Sequence, residues 1–259
     1  QLVPVTLELG GKSPAVITSD ANIRVAARRI ASPKYSNAGQ MCIAPDYVLV
    51  PTESKEEFIK ELIRAIQSFY GENAMESEHY GKIINDKQWL RLSAYLAEGE
   101  IVYGGQTDRA RLFIEPTIMT DIHADANIMK DEIFGPILPI ITYQSNEEAL
   151  AVIQKNPNPL AFYVFTGNKA DEQYWLTNVP SGGACVNNAT MHITNHALPF
   201  GGRGYSGLGA YHGKSSFDTF THPKSVLKTP TWIDPNFKYP PYKGKGLSLI
   251  HISEPTRRS

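Results

Sequence analysis

Cys42 lies at the end of the run Asn37-Ala38-Gly39-Gln40-Met41-Cys42, after a Gly-Gln break between a helix-like and a strand-like stretch. A free cysteine is among the most buried residue types, so an isolated thiol reads first as a small core side chain. Its position supports a second reading. The glycine permits a sharp backbone turn, and a broken helix leaves main-chain N–H groups unpaired near the sulfur. Such groups can hold the anion that forms on a carbonyl oxygen once a thiol has added to its carbon. A helix starting at Asp20 would point its C-terminal end here, which disfavours a thiolate. Local sequence therefore supports both the nucleophile and the buried side chain.

Two carboxylates stand in comparable settings. Glu8, in LELGGK, is flanked by leucines and followed by two glycines. It reads either as a solvent-facing strand residue or as a partly buried general base for water with a raised pKa. Glu132, in KDEIFGPILP, reads as part of a turn, or as a group gripping sugar hydroxyls with Phe134 against a flat ring. Gly202-x-Gly204-x-x-Gly207 matches the dinucleotide fingerprint formally, but NHALPF before it is a poor strand and no acid stands about twenty positions beyond. These glycines read as an irregular packing loop. His192, His196, His212 and His222 have no acid or cysteine at zinc spacing, so no metal site is expected. Cys185, inside GGACVNN, reads as core.

The elements that must position these groups alternate. VPVTLEL, residues 3–9, suggests a strand ending at Gly10-Gly11, and Asp20 a cap for a helix carrying Ile23, Ala26, Ala27 and Ile30, stopped by Gly39. DYVLVP is a strand, and Ser54-x-x-Glu57 is a capping box opening a helix that ends at Gly71. Strands are expected in EIVYGG, FIEPTIM, ILPIITY, LAFYVFTG and GACVNN, with helices in NDKQWLRLSAYLAEG, NEEALAVIQKN and DEQYWLTNV. This order predicts an α/β domain with a largely parallel sheet flanked by helices. From residue 197 glycine, proline and aromatics dominate, as in a segment that packs on a companion domain or another subunit.

Bulk composition narrows the function classes. With 259 residues, 42% hydrophobic, and a net charge of −1, the chain resembles an ordinary globular protein and offers no polyelectrolyte argument for nucleic acid or anionic membrane. Two distant cysteines in a chain of this size suggest reduced thiols and a cytoplasmic setting. No run of 18 apolar residues is present. The opening on Gln1 reads as a start in mid-domain, and LSLIHISEPTRRS, residues 247–259, as a non-native tail.

Taken jointly, LELGGKSP, NAGQMCIAPDYVLV, EIFGPILP, NNATMH, LPFGGRGYSGLGAYHGKSSFDTFTH and FKYPPY resemble the aldehyde dehydrogenase superfamily in order and spacing over nearly the whole chain. The APDYVLV and GAYHGKSSFDTFTH stretches are most similar to class 3 and fatty aldehyde dehydrogenases. The resemblance implies that Cys42 is the nucleophile and Glu8 the general base, that Glu132 and Phe134 contact the nicotinamide riboside, and that Asn37 and Gly39 frame the nucleophile turn. It implies oxidation of an aldehyde to an acid with NAD or NADP, through a thiohemiacetal and a thioester. It also implies a division into 1–8 as the end of the cofactor domain, 9–185 as the catalytic domain, and 186–246 as a returning strand and oligomerisation arm of a homodimer. Most of the family's Rossmann domain and its oxyanion asparagine precede LELGGK, so this chain alone is not expected to bind NAD(P)+ tightly or turn over. A membrane anchor is expected only of a longer C-terminal segment. Two rivals stand beside this reading: a cofactor-independent thiol esterase and a non-catalytic protein of the same fold.

Overall fold

The computed structural model describes residues 2–123 and 125–241. In chain order the elements are β1 (Leu7–Glu8), β2 (Pro14–Ile17), α1 (Ile23–Tyr35), β3 (Tyr47–Pro51), α2 (Lys55–Tyr70) and α3 (Asp86–Tyr95). There follow β4 (Glu100–Tyr103), β5 (Thr107–Asp108), β6 (Phe113–Ile114), β7 (Thr117–Thr120), β8 (Ile137–Tyr143), α4 (Asn146–Gln154) and β9 (Ala161–Phe165). The last are α5 (Lys169–Asn178), β10 (Gly183–Val186), β11 (Gly207–Leu208) and α6 (Gly213–Phe220). Seven strands form one sheet in the order β10-β9-β2-β3-β8-β7-β4. Each neighbouring pair is parallel except β4 against β7. The α/β architecture with a mostly parallel sheet is thus the observed one.

Alternation along the central strands divides the core. Ala15, Ile17, Val48, Val50, Tyr163 and Phe165 face α1 and α2, where Ile30, Phe58 and Leu62 are fully buried. The intervening residues Val16, Leu49, Phe162 and Val164 face the other way, onto Ala149 and Ile153 of α4 and Trp175 of α5. Parallel strands covered on both faces require such near-continuous apolar runs. Each fully buried Leu, Ile or Phe there contributes about 1.5–3 kcal/mol relative to exposure.

Four sequence expectations are corrected. The first strand is only Leu7–Glu8, because its partner β11 offers just two residues to pair. Asp20 does not cap α1. Asn22 does, accepting the Val25 N–H at 3.0 Å, while the Asp20 carboxylate accepts from Thr18, Thr166 and Gly167. The Ser54 capping box does not form, because Thr52–Ser54 make a 3-10 turn that leaves Ser54 in αR backbone. FIEPTIM is divided at Glu115-Pro116 into β6 and β7, which belong to different sheets.

A second unit begins at Pro223. In its described part, residues 223–241, a 3-10 turn spans Asn236–Lys238, and Asp234 accepts from Lys238 at 2.5 Å and from Tyr239 at 2.9 Å. The tail at 247–259 lies outside the described residues. Among the described residues no helix is long and apolar enough to cross a membrane.

Candidate active site

Helix α1 ends at Tyr35, four residues earlier than Gly39. Ser36–Gly39 form a single 3-10 turn in which Asn37 (φ 51°, ψ 31°) and Ala38 (φ 51°, ψ 35°) take left-handed backbone before Gly39 at φ 74°. Non-glycine residues hold that conformation only when their surroundings fix it. Here Asn37 Nδ2 donates to Gln40 O at 3.1 Å, and Gln40 Nε2 donates back to Asn37 O at 2.9 Å. The Gln40 amide also donates to Lys82 O and accepts the Ile84 N–H, both at 2.9 Å. Gly39 has no room for a side chain, since a Cβ would lie 2.2 Å from Gly135 O and 2.9 Å from Lys34 O. Just past the thiol, Tyr163 Oη donates to Ile43 O at 2.6 Å. Cys42 is therefore held on both sides by a loop with few ways to move.

The two-residue ribbon β1–β11 brings Glu8 to that loop. The Cys42 thiol donates to Glu8 Oε1 at 3.3 Å, and Tyr211 Oη donates to Glu8 Oε2 at 2.7 Å. Both carboxylate oxygens are engaged, so the side chain has one orientation. Burial pushes the Cys42 thiol up to about 12, and the Glu8 hydrogen bond and charge add to the effect. The sulfur's own main-chain N–H opposes it. Near neutrality Cys42 is a thiol rather than a thiolate. Burial sets that state first, and the anion beside it second. Glu8 itself is exposed, so the expected partial burial is not found.

Glu132 sits against the glycine pair that follows Glu8. The Gly11 N–H donates to its carboxylate, and a Cβ on Gly10 would lie 2.6 Å from Oε2. Burial, with the Asp46 charge second, raises Glu132 to about 7, opposed by Gly11, Lys12 and Lys34. Two residues on, Phe134 is 40% exposed and in left-handed backbone at φ 47°. The segment is clamped from below: buried Lys12 pairs with Asp46 and donates to Ile128 O at 2.7 Å and Asp131 O at 2.8 Å. Asp46 in turn accepts the Ile133 N–H at 2.8 Å. Buried Lys34 is lowered to about 8, by burial first and by the Lys12 charge, while Asp46 and Glu132 pull it back.

Of the residues singled out in the sequence, the fold brings Cys42 to Glu8 and Glu132 to the Gly10-Gly11 turn that follows Glu8, with Phe134 exposed two residues beyond Glu132. Sequence reasoning missed Gln40, Tyr211 and the Lys12–Asp46 pair. Gln40 stood inside the quoted motif, whereas Tyr211 is 203 residues from its partner and carried no local signal. Gly202 precedes and Gly204 opens a 3-10 turn, Gly204–Ser206, and Gly207 is the first residue of β11, so these glycines shape the approach to the ribbon. Cys185, expected in the core, is only partly buried; both cysteines are free. Among the described residues no cluster of His, Cys, Asp or Glu could hold a metal ion.

A thiol donating to a carboxylate is an arrangement that can carry nucleophilic chemistry at a carbonyl carbon. The sequence profile of the aldehyde dehydrogenase family matches residues 1–226, and the chain belongs to that family. It is 48% identical over 246 residues to the 4,4'-diaponeurosporen-aldehyde dehydrogenase of Staphylococcus aureus, covering 94% of this chain and 54% of that one. Aldehyde dehydrogenase family 3 member H1 of Arabidopsis thaliana is 46% identical, covering 96% and 52%. The dimeric NADP-preferring aldehyde dehydrogenase of Canis lupus familiaris is 42% identical, covering 94% and 54%. The substrate-bound structure of Staphylococcus aureus AldH superposes with a TM-score of 0.90 at 47% identity, covering 94% of this chain and 54% of the other. The chain thus spans about half the length of the relatives it matches.

Proposed function

We propose that this chain carries the thiol half of an NAD(P)-dependent aldehyde dehydrogenase, which oxidises an aldehyde to the carboxylic acid through Cys42. The 3.3 Å contact between the Cys42 thiol and the Glu8 carboxylate carries this reading. A neutral thiol cannot attack until its proton leaves, and Glu8 is the acceptor in contact with it. Sulfur then bonds to the aldehyde carbon as a thiohemiacetal. Once that carbon has been oxidised to a thioester, Glu8 takes a proton from the water that releases the acid. Tyr211 positions Glu8 for both transfers by holding its second oxygen.

Glu132 and Phe134 fit a nicotinamide riboside: a carboxylate that lines a cavity with Gly10 and Gly11, and an exposed ring two residues away. When bound, NAD(P)+ supplies the two-electron acceptor. We further propose residues 9–185 as the catalytic unit and an aliphatic or aromatic aldehyde as substrate. A homodimer accords with the dimeric relative named above. A thiol esterase with an imidazole base finds no support at Cys42, whose hydrogen-bonding partner is a carboxylate.

The test joins the first half of the Staphylococcus aureus relative to this chain and follows aldehyde-dependent NADH or NADPH formation. Turnover is expected, and Cys42→Ser should abolish it. Turnover that survives Cys42→Ser would refute the assignment.

A further inference from the structure

The second thiol has surroundings of the opposite electrical character. Cys185 lies on β10, an edge strand of the seven-stranded sheet, paired in register with Tyr163. Its Sγ is 3.2 Å from His192 Nδ1, and the main-chain N–H groups of Met191 and His192 also reach it. The ring is seated against Gly183, with Tyr163 and Phe200 at 6.2 and 5.9 Å between centroids. Its Nε2 is buried and has no hydrogen-bond partner among the described residues. A buried polar atom left unsatisfied in an otherwise packed site calls for a reason. Cys42 faces an anion, whereas Cys185 faces an imidazole and two N–H donors, the set that favours a developing thiolate.

We propose that Cys185 and His192 form a second nucleophilic pair, which adds covalently to α,β-unsaturated aldehydes independently of Cys42. The sulfur bonds to the β-carbon as the carbon–carbon double bond opens. The thiol proton passes to His192 Nδ1 and from there to the α-carbon. The adduct keeps its aldehyde, gains the whole mass of the reagent and needs no oxidant. Burial lowers the His192 pKa, so near neutrality the ring is free to accept the proton. Burial also raises the Cys185 thiol, against the two N–H donors, so transfer to His192 accompanies attack rather than preceding it. The Cys185 thiol is half-buried, which leaves an approach for a small reagent.

Cys42→Ser leaves Cys185 as the sole thiol of the chain, which separates this claim from the aldehyde dehydrogenase reading. The Cys42→Ser protein is treated with acrolein at pH 7, with propanal as the saturated control, and adducts are read by peptide mass spectrometry. Cys185 should gain one acrolein roughly ten times faster in the folded protein than in the same protein unfolded in urea. His192→Gln should bring the folded rate down to the unfolded one, and propanal should leave no stable adduct. A folded rate equal to or below the unfolded rate would overturn the proposal. So would a rate unchanged by His192→Gln in a variant with the parent's circular dichroism. The comparison of folded with unfolded protein stands even if that variant does not fold.

Discussion

At the scale of single residues, the site turns on how a carboxylate treats a neighbouring thiol. Burial first, and the Glu8 carboxylate second, hold Cys42 protonated at rest, while in the proposed mechanism Glu8 also takes its proton during attack. Removing the charge should therefore uncouple the two roles. In a Cys185→Ser background, Glu8→Gln should speed iodoacetamide labelling of Cys42 several-fold at pH 8.5, because the thiol pKa falls when its anionic neighbour is gone. An unchanged or slower rate would mean that burial alone governs the thiol. Glu132 makes a separate prediction with a defined sign. Its carboxyl rises from 4.5 to about 7 on folding, so the native state binds more protons than the unfolded chain between those values. Its contribution to stability is complete below about pH 4.5 and is lost as pH rises through about 7. Glu132→Gln should flatten that part of the stability–pH curve, as read by urea unfolding at a series of pH values. Cys42, Glu8, Glu132 and Phe134 were legible as candidates because each sits in a short run beside a turn, while only the family resemblance gave them roles. Tyr211 was not, since its only role at the site is a contact made by tertiary folding.

At the scale of elements, the nucleophile loop shows what local pattern can and cannot specify. The break at Gly39 was legible, because a glycine between apolar periodicities of different type marks a change of element. The early end of α1 and the left-handed Asn37 and Ala38 were not. They depend on Gln40 reaching Lys82 and Ile84, which lie far along the chain. Asp20 and Ser54 fail as caps for a similar reason: tertiary partners claim the first, and a preceding 3-10 turn displaces the second. Gly39 offers the sharpest test at this level. Gly39→Ala combines strained backbone at φ 74° with a Cβ 2.2 Å from the Gly135 carbonyl oxygen. It should cost about 2–4 kcal/mol in urea unfolding. A loss below about 0.5 kcal/mol would show that the loop yields where packing says it cannot.

At the scale of the whole molecule, the sheet was legible as a class and not as an order. Strand–helix alternation pointed to a largely parallel sheet, while β4 running antiparallel at one edge and β6 leaving the sheet follow from long-range pairing. The β1–β11 ribbon and the connecting loops bring together the Cys42 thiol, the Glu8 carboxylate it donates to and, at the Gly10-Gly11 turn, the Glu132 carboxylate. The central claim is that Cys42 forms the covalent link to substrate while Glu8 drives its hydrolysis. The measurement that tests it uses the chimera with the first half of the Staphylococcus aureus relative, with and without Glu8→Gln, mixed with aldehyde and NAD+, acid-quenched within the first turnover and digested for mass spectrometry. The account predicts an acyl group on the peptide containing Cys42 in the unsubstituted chimera, with both its formation and its hydrolysis slowed by Glu8→Gln. No acyl group on that peptide while NADH is still produced would contradict it.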